Sequence, residues 1–169
     1  MKFTAQEEYG LRCLLQIGRE GLGGSLTIPE IALRESISIP YVAKLVRLLR
    51  QGAFVTSTRG QSGGYRLSRL PEQIGVGEVL AMLGGRLFDP EYCERYPGVE
   101  TSCTHTVDCS LRSLWRSLQT GVDQVLSGTT LRDLLGNEQQ TESSMGGLVQ
   151  IGSATAERQS FDIFSGMGD

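Results

Sequence analysis

The stretch "TIPEIALRESISIPYVAKLVRLLRQGAFVTSTRGQSGGYRLS", residues 27–68, constrains this chain more than any other. Thr27 is placed to cap a short helix. Pro29 sits early in it, where a missing N–H costs nothing, and Ile28, Ile31 and Ala32 form its apolar face. The residues "SIS" interrupt. A second helix is predicted from about Pro40 to Gln51, with Val42, Leu45, Val46 and Leu49 at i, i+3, i+4 and i+7. Gly52 is placed to stop it. The period then changes. Phe54 to Arg59 is β-prone, "GQSGG" must turn, and "YRLS" is β-prone again, which predicts a hairpin whose arms carry Arg59 and Arg66. Two short helices across a tight turn, the second with Lys44, Arg47 and Arg50 outside its apolar stripe, match a helix-turn-helix. A hairpin directly after it is a wing.

The flanking segments fit around this unit. Residues 4–18 read as a helix opened by a Thr4/Glu7 capping box, with Leu11, Leu14, Leu15 and Gly18 at helical spacing. A short helix over 75–83 uses Val76, Val79, Leu80 and Leu83 and ends at Gly84 and Gly85. "CSLRSLWRSLQTGVDQVLSG" then has the strongest helical periodicity in the chain, through Leu111, Leu114, Trp115, Leu118, Val122, Val125 and Leu126. A small winged domain need not cover so much apolar surface, and dimerisation is a natural use for it. The expected fold is mainly α with a small β-wing: a winged helix-turn-helix domain plus a long dimerisation helix. The expected divisions are 1–85 for the DNA-binding domain, 86–108 for a cysteine-bearing loop and 109–135 for the dimerisation helix and a short following helix. Residues 136–169, rich in Gly, Ser, Gln, Thr and Glu, are expected to be a disordered tail; "FDIF" near its end is at most a weak docking segment, and disorder is the stronger reading there too.

Charge is segregated. Residues 1–70 hold ten Lys/Arg against five Asp/Glu, and residues 71–169 hold six against fourteen. A basic N-terminal half points to an anionic partner. A helix entering the major groove N-terminus first would present Ser38, Tyr41 and Lys44 as exposed candidates, with Arg47 on phosphate or guanine and Arg59 of the wing in a minor groove. No apolar run approaches the ~20 residues of a membrane span, and "MKFTAQEEYG" lacks a signal-peptide core. A cytoplasmic protein is therefore expected, in which clustered thiols are metal ligands or redox groups rather than disulfides. No catalytic constellation is present, and "GQSGG" precedes a strand rather than a helix, against a nucleotide loop.

On "MKFTAQEEYGLRCL", "ISIPYVAKLVRLLRQGAFVTSTRGQSGGYRLS", "IGVGEVL", the three-cysteine stretch and "LRSLW", residues 1–135 resemble the Rrf-two family of bacterial winged-helix regulators, which includes IscR-type and NsrR-type iron–sulfur sensors. The resemblance implies a homodimer formed through the long helix. It also implies a near-palindromic double-stranded operator contacted by Ser38, Tyr41, Lys44 and Arg59.

The cysteines are the second signal. Cys93, Cys103 and Cys109 crowd one stretch with the chain's one histidine, His105. Thiolates are soft ligands suited to iron–sulfur clusters, and Cys109 begins the long helix, where the dipole favours negative charge. Cys13 lies within the first helix and is expected to be a buried apolar residue. Three thiolates leave one position open. In the proteins this chain resembles, that position is taken by a histidine three residues after the third cysteine or by a carboxylate at position 8 of the partner subunit. The first is Arg112 here, which cannot ligate; the second is Glu8, which can, with His105 as runner-up. The expected function is a repressor or activator whose operator affinity is set by a 2Fe–2S or 4Fe–4S cluster sensing redox state, nitric oxide or cluster status. The alternatives are a structural zinc held by Cys93, Cys103, Cys109 and His105 in a winged-helix interaction module, or a metal-free thiol switch.

Overall fold

The computed structural model describes residues 3–21, 23–58, 63–86, 88, 92–97, 99, 103, 105, 108–136, 139–141 and 143. Helix α1 (Ala5–Arg19) starts at Thr4, whose hydroxyl accepts from the Glu7 amide while the Glu7 carboxylate accepts from the Thr4 amide at 2.7 Å. The same T-x-x-E reciprocity opens α2 (Ile28–Glu35) through Thr27 and Glu30. The Thr27 amide, then its hydroxyl, hold the Glu30 carboxyl below its ordinary range. The first is the capping box the spacing predicts, and the second adds a Glu30 partner to the cap expected at Thr27.

Between α2 and α3 (Ile39–Gln51) the chain turns through Ser36, in left-handed backbone at φ 56°. A side chain is disfavoured there, so Ser36→Gly should stabilise the protein by about 0.5–1 kcal/mol, read as a higher urea midpoint at constant m. Helix α3 ends at Gln51 with Gly52 as its C-cap, as expected, but not through a left-handed glycine. Gly52 has an ordinary φ of −76°, and the left-handed residue is Ala53, at φ 56°. Gly52 is required for space instead: a Cβ there would collide with the Phe54 ring.

Strands β1 (Val55–Ser57) and β2 (Tyr65–Leu67) pair antiparallel with Thr56 opposite Arg66, and Leu26 bridges to Tyr65 on the far side of β2. The hairpin is thus stitched to the segment just before α2. A 3-10 turn (Pro71–Gln73) leads into α4 (Val76–Gly84), closed by Gly85 at φ 82°. Helix α6 (Ser110–Ser127) follows a single helical turn, α5 (Tyr92–Arg95). Short α7 (Leu131–Leu134) returns to the domain, where Leu131 donates to the Ile74 carbonyl and Val76 to the Thr129 carbonyl.

The core gathers Leu14 and Ile17 of α1, Ile31 of α2, Val42, Leu45, Val46 and Leu49 of α3, Leu26, Ile74, Val79 and Leu131, all essentially solvent-free. Each such side chain contributes about 1.5–3 kcal/mol. On α1 the buried stripe is Gly10, Cys13, Leu14, Ile17 and Gly18, with the expected Leu11 and Leu15 only flanking it. Two hydrophobic rows are available on so apolar a helix, and packing against α3 and α4 selects one of them. The expected tail lies outside the described residues beyond 143; residues 139–141 have helical backbone.

Candidate functional site

Helix α3 turns its apolar stripe inward and leaves Lys44 and Arg47 exposed. Ser38 is its N-cap residue and is exposed, and its hydroxyl makes no capping bond. Those three residues stand where the sequence places them. Tyr41 does not: it is half-buried rather than exposed. Its ring lies edge-on to Tyr9 of α1, centroids 6.1 Å apart at 87°, because it borders buried Val42 and Tyr9 supplies an apolar partner. The Lys44 ammonium sits over its other side, 5.8 Å from the ring centroid. Arg59 lies outside the described residues. Arg66, on the wing's second strand, is exposed.

Sequence reading missed how α1 grips this unit. The Arg12 Nε donates to Glu35 Oε2 at 2.6 Å and its Nη2 reaches the Glu35 carbonyl at 3.3 Å; Gln16 donates to the other carboxylate oxygen. The Arg12 guanidinium also lies over the Tyr9 ring at 5.4 Å. The hydrogen bond to Glu35 raises the pKa of Arg12, and the charges of Glu35 and of Glu8, one turn earlier on α1, add to this. One face of α1 therefore carries Glu8, Tyr9, Arg12 and Gln16, and holds the end of α2 through Glu35 and the start of α3 through Tyr41.

Of the thiol segment, Cys93, Cys103, His105 and Cys109 are among the described residues. Cys93 is on α5, and Cys93, Cys103 and Cys109 are all free and half-buried. Cys109 is the N-cap of α6, its Sγ accepting the Arg112 amide at 3.4 Å. Arg112 donates from Nη2 to the His105 carbonyl at 2.8 Å, clasping the loop to the helix. The His105 residue and Glu8 are exposed. Cys13 is buried in the core, and burial pushes its thiol up to about 12, as expected of an apolar residue rather than a ligand. Among the described residues no three His, Cys, Asp or Glu side chains stand close enough together to hold a metal ion.

The long helix has two halves. Toward its end Leu126 packs on α4, where its Cβ would lie 3.2 Å from a side chain added at Gly77. Its first half exposes Leu111 at 59%, Leu114 at 49% and Leu118 at 45%. Gln119, buried beside the segment that follows α4, accepts the Phe88 amide at 2.8 Å and donates to Asp123, which pairs with Arg86. That network fixes the segment after α4 against α6. No helix among the described residues is long and apolar enough to cross a membrane.

Comparison with known proteins agrees with this architecture. The model of the Rrf2 family, described as an iron-dependent transcriptional regulator, matches residues 3–137. The chain is 36% identical over 135 residues to the protein rrf2 of Nitratidesulfovibrio vulgaris, spanning 80% of this chain and 87% of that one. Two solved structures superpose well. CymR, the global cysteine regulator of B. subtilis, does so at TM-score 0.64 and 29% identity over 80% of this chain and 96% of its own. IscR of T. potens does so at TM-score 0.63 and 28% identity over 80% and 86%. These relatives are regulators, not enzymes, as the lack of a catalytic constellation predicts.

Proposed function

The chain belongs to the Rrf2 family of transcriptional regulators, and from that premise we propose that it is a homodimeric operator-binding regulator whose DNA affinity is set by an iron–sulfur cluster. Regulators of this family bind DNA. The α3 face of Ser38, Lys44 and Arg47, flanked by the wing, suits a major groove with phosphates on either side. Tyr41 carries the Lys44 ammonium over its ring beside this face, and Arg59 of the wing is the minor-groove candidate. The exposed Leu111, Leu114 and Leu118 ridge is the surface on which two copies would join.

The observation that carries the cluster reading is the donor set. Three free, half-buried thiols share one segment, and the sulfur of Cys109 already receives a backbone N–H, the kind of bond that tunes a cluster thiolate. The set suits a cluster in its chemistry and is short of one donor within a protomer. Glu8 of a second copy would complete it, with His105 as the other candidate. A cluster held there supplies a centre sensitive to redox state and nitric oxide. Glu8 stands one turn from Arg12, so a change at Glu8 is transmitted through Arg12 to Glu35 and through Tyr9 to Tyr41. Zinc on the same thiols has less support, because C-x9-C-x-H-x3-C is not a familiar zinc-finger spacing.

Anaerobic purification tests this. The expected protein is brown, with iron and acid-labile sulfide in stoichiometric amounts, and Glu8→Ala alters its absorbance and its response to nitric oxide. A colourless protein with one zinc per protomer assigns the structural-zinc reading. A colourless protein without metal, whose thiols pair reversibly under oxidant, assigns the metal-free switch. Operator binding has its own test: log affinity should fall linearly with log salt at about −0.9 per neutralised phosphate, and Lys44→Ala and Arg47→Ala should each lessen the slope by about that amount.

A further inference from the structure

A cavity of about 600 Å³ opens between the end of α1, strand β2, the 3-10 turn and α7. Its size is that of a ligand site. Its walls are apolar through Leu67, Leu70 and Leu135, and it carries three guanidinium groups, Arg66, Arg69 and Arg132, against one carboxylate, Glu72. Arg132 spends little on Glu72, at 3.7 Å with both side chains exposed. Arg69 is turned to Glu78 at 3.1 Å and over the Phe54 ring. Leu70 is an exposed leucine on the cavity rim. The occupant such a site recognises has large apolar groups beside a single negative charge.

The chain carries such a segment. Residues 161–164 read Phe-Asp-Ile-Phe, and residues 144–169 hold three carboxylates against one arginine. The chain leaves for this segment beside the cavity: Thr141 donates to the carbonyl of Asp133 on α7 at 2.9 Å, and Leu135 is itself a cavity wall. The link from residue 143 to residue 161 has a root-mean-square reach of about 25 Å for a flexible chain, enough to return to α7 and β2. Tethering over that span gives an effective concentration on the order of 1 mM, so even a weak four-residue contact is populated.

We propose that the Phe161–Phe164 segment docks in this cavity, its aromatic and Ile163 side chains on Leu67, Leu70 and Leu135 and its Asp162 carboxylate among Arg66, Arg69 and Arg132. The occupied cavity braces strand β2 of the wing against α7. The docking is a property of the chain alone and holds whether or not a cluster is bound.

Hydrogen–deuterium exchange on the full-length protein decides it. Amides of 161–164 should exchange about 3–10-fold more slowly than an unstructured peptide of the same sequence, from the effective concentration set against a dissociation constant of about 0.1–0.5 mM. Phe161→Ser/Phe164→Ser should lose that protection and speed exchange in residues 65–73. Leu70→Asp, on an exposed rim position, should release the tail and lower the thermal unfolding midpoint no further than Phe161→Ser/Phe164→Ser does, since each removes only the docking. Tail amides exchanging at the peptide rate in the unmodified chain would overturn the proposal. So would protection that survives Leu70→Asp, which would place the segment elsewhere, and rim protection indifferent to the Phe161/Phe164 change, which would give the cavity to another occupant.

Discussion

Gly64→Ala lowers stability by about 2–4 kcal/mol and weakens operator binding at least about tenfold. A Cβ at Gly64 would lie 2.7 Å from the carbonyl oxygen of Leu26, 2.8 Å from its carbon and 3.2 Å from the Thr27 nitrogen. All three are backbone, and no rotamer change relieves them. The chain must separate there, yet this is where the wing is fastened. Leu26 and Tyr65 exchange backbone hydrogen bonds of 3.0 and 2.7 Å, and Gly64 itself accepts from the Thr58 amide at 2.8 Å. Forcing β2 outward breaks the bridge, admits water to Leu26 in the core and leaves the hairpin without a fixed angle to α3. Urea unfolding and fluorescence anisotropy on labelled operator measure the two effects. Gly121→Ala is the contrast: nothing lies within 4 Å of a Cβ there, and within α6 alanine is the better helix former. Gly121 continues the Leu114 and Leu118 face of α6, so that variant should gain about 0.5–1 kcal/mol where no second copy covers the face. An unchanged urea midpoint for Gly64→Ala would mean that the wing is not anchored through residue 26.

Local signals made the winged unit legible. The capping box at Thr4 depends on residues three apart, the cap at Thr27 on one residue before an apolar run, the α3 stripe on one helix face, and the hairpin on a change of period, so each is complete within a few residues of sequence. What stayed hidden depends on contacts between distant segments. Arg12 and Glu35 are ordinary surface charges by sequence, and only the crossing of α1 over the end of α2 brings them together. Tyr41 has the composition of a groove-facing residue until Tyr9 packs on it. Gln119 falls within the long apolar stripe, one turn from Trp115 and Val122, and a hydropathy count passes over it, although it joins Phe88 and Asp123 to that helix. Cys109 was legible as the start of α6, because the helical period begins there. The mutual placement of Cys93, Cys103 and Cys109 was not, since loop spacing limits how far apart sulfurs can be without fixing where they meet.

Arg12→Ala is the substitution that separates α1 from the helix pair it holds. The Glu35 side chain is only 8% exposed, and its carboxylate is held by Arg12 at 2.6 Å and by Gln16. Without the guanidinium, a shielded negative charge keeps a single neutral donor. Loss of one partner of a fully buried pair costs 3–5 kcal/mol. Because Arg12 is itself 40% exposed and Gln16 remains, about 2–3 kcal/mol is expected. Arg12→Lys should recover only part of this, since one ammonium cannot reach both the carboxylate and the Glu35 carbonyl as the guanidinium does. A double-mutant cycle with Glu35→Ala should return a coupling energy of about 1–2 kcal/mol, because the second change removes the stranded charge. The functional consequence follows from the same geometry. If Glu8 acts on α3 mainly through Arg12, then Glu8→Ala alters operator affinity in the parent protein and loses most of that effect once Arg12 is alanine, the Tyr9–Tyr41 contact carrying what remains. Additive effects of the two substitutions on operator binding would show that Glu8 reaches the DNA-reading helix by a route that bypasses Arg12.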